Sequence, residues 1–424
     1  MTGWVNVRGG RVDTSIRPST LGGGTDAFGR LRVSQSKTIF DSKLLNADDS
    51  PLFWDESLES GGGITASTPT AAKPYIDFTS TASTAGKFTR QTYQRFNYQP
   101  GKAQSIFMTG VLELSGGGTG VERRIGYFDD NNGAFFESDA GTIGVTTRSN
   151  DSGTPKDTTV AQSDWNLDKM DGSGPSQLTA DFSKAQIFVI DFQWLSVGVV
   201  KFGLEINGLL RYIHEVRTAN NAAIPWCSSP NLPVRYQMIT TASSPVSTMR
   251  CICSAVMSEG GTDSVGAIHY TSTAGAAVTT NAEDSIFAVV GIRLKTARAH
   301  TFVDILKVGM QIQSASEYVE WLLIWNPTVA GTFTYSAVSN SNLERALGAT
   351  ANTVTNGTII DGGYLESGTA PGGGKSLETA AQNALRLGLN IAGDTPDTLV
   401  LCVRPIGGVS AVDVEGSITW REIS

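Results

Sequence analysis

The chain has 424 residues, with 32 Lys plus Arg against 40 Asp plus Glu, for a formal net charge of −8. Charged residues make up 17% and glycine fills 47 positions, whereas an average soluble protein carries about 25% charge. The acidic balance argues against a general nucleic-acid binder, no apolar run approaches the ~18 residues that span a bilayer, and the length allows two or three domains with real cores.

Residues 1–50 differ from the rest of the chain. Arg8, Arg11, Arg30 and Arg32 give a local excess of cations, interrupted by Gly22-Gly23-Gly24. Apolar periodicity is too thin here for an independent core, so an extended docking arm is expected. The other reading is an edge strand of the next domain behind a frayed terminus. The opening residues lack a charged stretch followed by an apolar one, so no secretory signal is expected.

From residue 51 the chain reads as strands. Residues 105–114 form one, and residues 125–128 and 134–137 flank Asp129-Asp130-Asn131-Asn132-Gly133, a loop with hairpin chemistry. Residues 186–195 form another. Val200, Phe202, Leu204 and Ile206 then alternate with more polar neighbours up to Asn207-Gly208, and the return strand runs from Leu209 to Val216. That dipeptide between alternating runs is a strong hairpin signal.

The segment 257–263 reads as a boundary. Strands are expected beyond it over 285–294, 302–308, 318–325, 398–403 and 416–422. One short helix is expected from the spacing of Leu377, Ala380, Ala381, Ala384 and Leu385, with Ser376 as its cap. The chain thus reads as all-β: an arm over 1–50, a first β-sandwich of jelly-roll or concanavalin-like type over 51–262, and a second over 263–424.

Groups for catalysis are sparse. His214, His269 and His300 show no metal spacing, and His214 alternates with Tyr212 and Val216 as a core or edge residue would. No nucleophile elbow occurs. The stretch Gly368–Ser376 misses the phosphate-loop spacing by one residue. Asp129, Asp130 and Asp139 read as a polar turn, or as an opportunistic ion site. Cys251 and Cys253, two apart on a strand, are expected to share a face as small buried groups. Trp194 and Trp321 lie in apolar strands and read as core. Paired carboxylates such as Asp48-Asp49 or Asp168 with Asp171 would need a sugar-binding cleft to act as a glycosidase. No catalytic residue, metal or cofactor is expected.

Longer stretches carry more information. Thr25-Asp26-Ala27-Phe28-Gly29-Arg30-Leu31-Arg32-Val33-Ser34, followed by Thr38-Ile39-Phe40-Asp41-Ser42-Lys43, resembles the start of a widespread family of tailed-bacteriophage virion structural proteins. The likeness continues through residues 165–176, 186–195, 229–236, 253–261 and 385–393, with the segments in order. The resemblance implies a place in a phage particle, synthesis in the bacterial cytoplasm, and other virion proteins as partners. It brings no catalytic residues. Asp26, Phe28, Arg30, Arg32, Phe40 and Asp41 are the expected docking residues, an aromatic anchor with guanidinium forks suited to carboxylates. Alternatively, Phe28 and Phe40 complete the first sandwich. A homo-oligomer is expected, a trimer by family analogy. The rival functions are a module that binds a receptor or host-surface glycan and a polysaccharide depolymerase.

Overall fold

The computed structural model describes residues 34–45, 53–59, 62–261, 263, 265–298, 300–314, 316–367, 374–378 (backbone) and 387–423. In chain order the first fifteen strands are β1 (Ser36–Lys43), β2 (Trp54–Glu59), β3 (Ile64–Ala66), β4 (Ile76–Ser80) and β5 (Gly86–Thr92). They continue as β6 (Gln104–Ser115), β7 (Val121–Phe128), β8 (Gly133–Asp139), β9 (Thr142–Ser149) and β10 (Lys156–Ala161). The set closes with β11 (Gln186–Phe192), β12 (Val199–Ile206), β13 (Leu209–Arg217), β14 (Val234–Thr240) and β15 (Thr248–Glu259).

These strands build two antiparallel sheets. One has the order β13-β12-β11-β6-β15-β4-β3, with β1 also pairing β15; the other runs β10-β9-β8-β7-β14-β5-β2. Their inner faces share a core that includes Phe78, Phe136, Phe188, Phe202 and Tyr236. This is the face-to-face packing of a β-sandwich, which buries alternate residues of each strand.

Thirteen more strands follow among the described residues. They are β16 (Ala267–Ser272), β17 (Val278–Thr279), β18 (Phe287–Leu294), β19 (Phe302–Ile312), β20 (Tyr318–Trp325), β21 (Thr328–Val329) and β22 (Ser336–Ala337). After them come β23 (Leu343–Leu347), β24 (Val354–Thr355), β25 (Thr358–Glu366), β26 (Gly374–Glu378), β27 (Thr398–Pro405) and β28 (Asp413–Ile423). A sheet ordered β16-β28-β19-β26, joined by β17, faces one ordered β22-β23-β18-β27-β20-β25. Their core is separate and is built on Phe287, Ile292, Trp321, Leu401 and Trp420. The protein is therefore all-β, with two sandwiches in series.

The alternating run ending at Asn207-Gly208 forms the expected hairpin, Ile206 opposite Leu209. Asn207 and Gly208 both take positive φ, 56° and 77°. Such a turn matches the twist of its strands. Val200, Phe202 and Leu204 all reach the core.

Three local expectations fail. The expected helix start is a strand, since β26 pairs β19 with Ser376 opposite Gly309. Sheet pairing there overrides a weak helical spacing, and residues 379–386 lie outside the described part. Cys251 and Cys253 do not share a face, because β15 slips register between Cys251 and Ser254. Cys251 goes to the core and Cys253 is half-buried; a bulge adds one residue and flips the alternation. Residues 36–43 of the expected arm form β1 along β15, with Phe40 opposite Val256.

Candidate functional site

Phe40 is 8% exposed and sits in the first core. Its ring meets Phe96 at 5.2 Å, Phe53 at 5.8 Å and Trp54 at 6.2 Å between centroids. The Trp54 indole donates to Ser42 Oγ at 2.8 Å, which ties β2 back onto β1. Phe40 therefore has no free face to offer a partner. Asp41, next along the strand, points to solvent, 3.7 Å from Lys43. Asp26, Phe28, Arg30 and Arg32 lie outside the described residues. What the structure brings together is a strand held by aromatic packing, with Ser34 and Gln35 at its beginning.

That beginning lies at the junction of the two sandwiches. The Gly260 amide donates to Gln35 O at 2.9 Å. Beside it is a cleft of about 690 Å³ between the sandwiches, walled by Tyr98 and Trp194 on one side and by Arg298 and His300 on the other. Most of its polar groups bond one another. Lys102 Nζ donates to Gln99 Oε1, Gly261 O and Asp263 Oδ2 at 2.7–2.9 Å. Gln99 Nε2 donates to Asp263 O at 2.6 Å, and the Asp263 amide donates back to Gln99 Oε1. Asn231 Nδ2 donates to His300 O at 3.1 Å, and His300 Nδ1 lies 3.0 Å from Ser229 Oγ. Burial lowers the His300 pKa, Arg95 lowers it further, and Asp129 opposes them. A neutral ring is what the packing favours. The cleft works as a seam that fixes one sandwich against the other.

A second point of contact involves Asp397 on the second sandwich. Asn326 Nδ2 and the Gly388 amide donate to its carboxylate, at 2.7 and 3.0 Å. Burial, assisted by Asp55, nevertheless raises its pKa to about 6. Tyr93, near both carboxylates, is pushed up to about 12, first by burial.

The outer face of the seven-stranded sheet carries the densest charge. Phe128 and Phe135 lie fully buried there, 4.5 Å apart. Arg124 and Arg148 stack over Phe135, and Arg235 over Phe128. Carboxylates lock these guanidinium groups: Arg148 grips Asp157 in a fork at 2.7 and 2.8 Å, Arg235 bonds Asp130 at 2.6 Å, and Arg124 bonds Glu122 at 2.8 Å. Glu137 accepts from Thr146 and Thr159 at 2.7 and 2.8 Å. The loop carboxylates considered for an ion face the same way. Burial would lift Asp129, but the Arg95 guanidinium at 2.6 Å and the amides of Asn131 and Asn132 hold it below its ordinary value.

A glycosidase needs one protonated acid and one free carboxylate flanking a sugar. Here Glu122, Asp129, Asp130, Glu137 and Asp157 are each bridged to a guanidinium or hydroxyl, so the layer closes a sheet face. Asp168 accepts from the Met170 and Ser176 amides, and Asp171 from Ser173, which makes both loop-fixing groups. His214 is buried and its Nδ1 accepts from the Asn166 amide. Trp321 is core, whereas Trp194 is half-buried and lines the cleft. Among the described residues, no three His, Cys, Asp or Glu side chains gather to hold a metal ion, and no helix is long and apolar enough to cross a membrane.

Sequence reasoning missed the guanidinium layer. Its available signal was strand alternation: in Arg123-Arg124 one side chain must face inward. Arg123 does so, fully buried, with Nη2 donating to Ser115 O and Gly116 O at 2.6 and 2.8 Å.

No family model matches the chain, and no curated protein does. Solved structures of similar shape include an endo-1,3-β-glucanase from Streptomyces sioyaensis (11% identity, TM-score 0.36, 54% of this chain and 98% of that one). Others are the CBM2 module of the evolved Dit of Lactobacillus casei BL23 phage J-1 (10%, 0.32, 55% and 100%) and a legume lectin-like domain from Entamoeba histolytica (10%, 0.30, 53% and 98%). Likenesses this distant carry no argument about the chain.

Proposed function

We propose that this chain is a non-enzymatic structural component of a tailed-phage particle, joined to a neighbouring virion protein by residues 1–33. The observation that carries the reading is the seating of β1. A tether leaving from Ser34 is continuous with a strand paired over its length to β15 and pinned by Phe40 against three aromatic rings. A load on the arm therefore passes into the first sandwich, and the seam at Lys102, Gln99 and Asp263 carries it towards the second.

Two features support the architectural reading. Arg124, Arg148 and Arg235, on the outer face of the seven-stranded sheet, are each paired with a carboxylate. The ordered segments that resemble virion structural proteins also run from residue 25 to residue 393. Asp26, Phe28, Arg30 and Arg32 are the groups assigned to docking. Copies assemble as a closed ring, three-fold in the favoured form. The test is quantitative mass spectrometry of purified particles from the phage that encodes the chain. A stoichiometric copy number per particle is expected; its presence only in the infected-cell lysate would overturn the proposal.

A further inference from the structure

The outer face of the second sandwich's six-stranded sheet has two unlike halves. At one end Leu322, Ile324, Val400 and Cys402 form a small apolar cluster, covered by Val354 and partly by Phe333. At the other end the same face is open. Tyr318 is 50% exposed and Tyr364 is 74% exposed.

Register places these two rings together. Tyr318 is opposite Glu366, and Glu320 is opposite Tyr364. Tyr318, Glu320, Tyr364 and Glu366 therefore point to one side, and Arg404, opposite Glu320 on β27, joins them. The two tyrosines are diagonal neighbours across an antiparallel pair, a relation that sets residues ~7–8 Å apart. Beside them, on the β27 side, Arg404 Nη1 bonds Glu320 Oε2 at 2.8 Å. Gly362, two residues before Tyr364 on the same face, adds no side chain to shade the rings. Among the described residues β25 is the end strand of its sheet, and no strand covers this corner from the side.

We propose that this corner is a saccharide-stacking surface for a neutral pyranose chain. The C–H face of a sugar ring packs on an aromatic face, and fixed polar groups beside it bond the hydroxyls and set orientation. Tyr318 and Tyr364 supply the faces. The paired Glu320 and Arg404 supply an acceptor and donors in one plane. Glu320 and Glu366 together disfavour acidic sugars. A protein partner fits the corner less well, since interface hot spots are desolvated and ringed by apolar contacts, and this one is ringed by charge. Tyr270 on β16 makes the contrast: it is 60% exposed, but its exposed companions are Ile268 and Val265.

The site does not depend on the virion reading and is tested on the purified full-length chain. The probes are immobilised maltohexaose, cellohexaose and laminarihexaose, with polygalacturonate as the acidic contrast. Binding to at least one neutral probe and not to polygalacturonate is expected. Tyr318→Ala and Tyr364→Ala should each weaken it about tenfold. Tyr364→Phe should keep most of it, and Tyr270→Ala should leave it unchanged, all with unaltered melting. Absence of binding to every neutral probe would overturn the proposal. So would retained binding in the Tyr318→Ala, Tyr364→Ala double variant, or a fall in sedimentation mass in that variant, which would make the corner a contact between copies.

Discussion

Replacing Phe40 with Ala separates two roles for the strand after the arm: a contact with a partner, or a part of the first core. The structure assigns the second. The ring is 8% exposed and meets Phe53, Trp54 and Phe96 within 6.2 Å. Removing a buried Phe ring costs about 3–5 kcal/mol, of which each lost aromatic pair accounts for roughly 0.5–1.5. For a sandwich of this size that lowers the melting midpoint by roughly 10 °C. The assay is chemical and thermal unfolding of wild type, Phe40→Ala and Asp41→Ala. Phe40→Ala should shift the first-sandwich transition by the full amount and leave that of the second in place. Asp41→Ala, altering an exposed side chain, should stay within about 0.5 kcal/mol of wild type. A Phe40→Ala protein that unfolds within about 1 kcal/mol of wild type yet no longer enters particles would refute the reasoning, because the ring would then be acting on a partner.

Three further outcomes concern buried polar groups. Asp397 has its pKa raised from 3.8 to about 6, chiefly by burial; the native state then holds the proton more tightly than the unfolded one. Its contribution should therefore increase stability as pH falls from about 6 towards 4, by up to ~3 kcal/mol, and Asp397→Asn should flatten that part of a denaturation-versus-pH curve. Arg235 is fully buried, donating to Gln91 and Asp130; Arg235→Ala should cost about 3–5 kcal/mol in urea unfolding. Cys227, Cys251 and Cys402 are buried, and burial raises all three thiols, so a native thiol titration should modify Cys253 first and the other three only on unfolding.

Long alternating strands were legible from the amino-acid order. Val200, Phe202 and Leu204 announce both their strand and their buried face, and Asn207-Gly208 fixes the register of the hairpin they enter. Where alternation is broken by pairing elsewhere, reading fails. The slip at Cys251 depends on how β15 fits β6, which no local pattern encodes. The helical spacing expected from Leu377 onward fails at its start, where residues 374–378 gain a partner in β19. Phe40 illustrates the limit on sites. Its neighbours in sequence look like an arm, and only the arrival of Trp54 from β2 and of Phe96 from the loop after β5 makes it core. The guanidinium layer is a product of register in the same way: Arg124, Arg148 and Arg235 are far apart along the chain and converge because β7, β9 and β14 belong to one sheet. Tyr318 and Tyr364 likewise become neighbours only when β25 folds onto β20.

The central claim is that residues 1–33 hold a rigid, folded body to the particle. It is tested most directly by supplying a chain that begins at Ser34 during infection with phage lacking the gene, and counting copies per purified particle by mass spectrometry. Because β1 is kept, this chain should melt as the full-length protein does and be absent from particles. Incorporation of the folded, shortened chain at the full-length copy number would contradict the account.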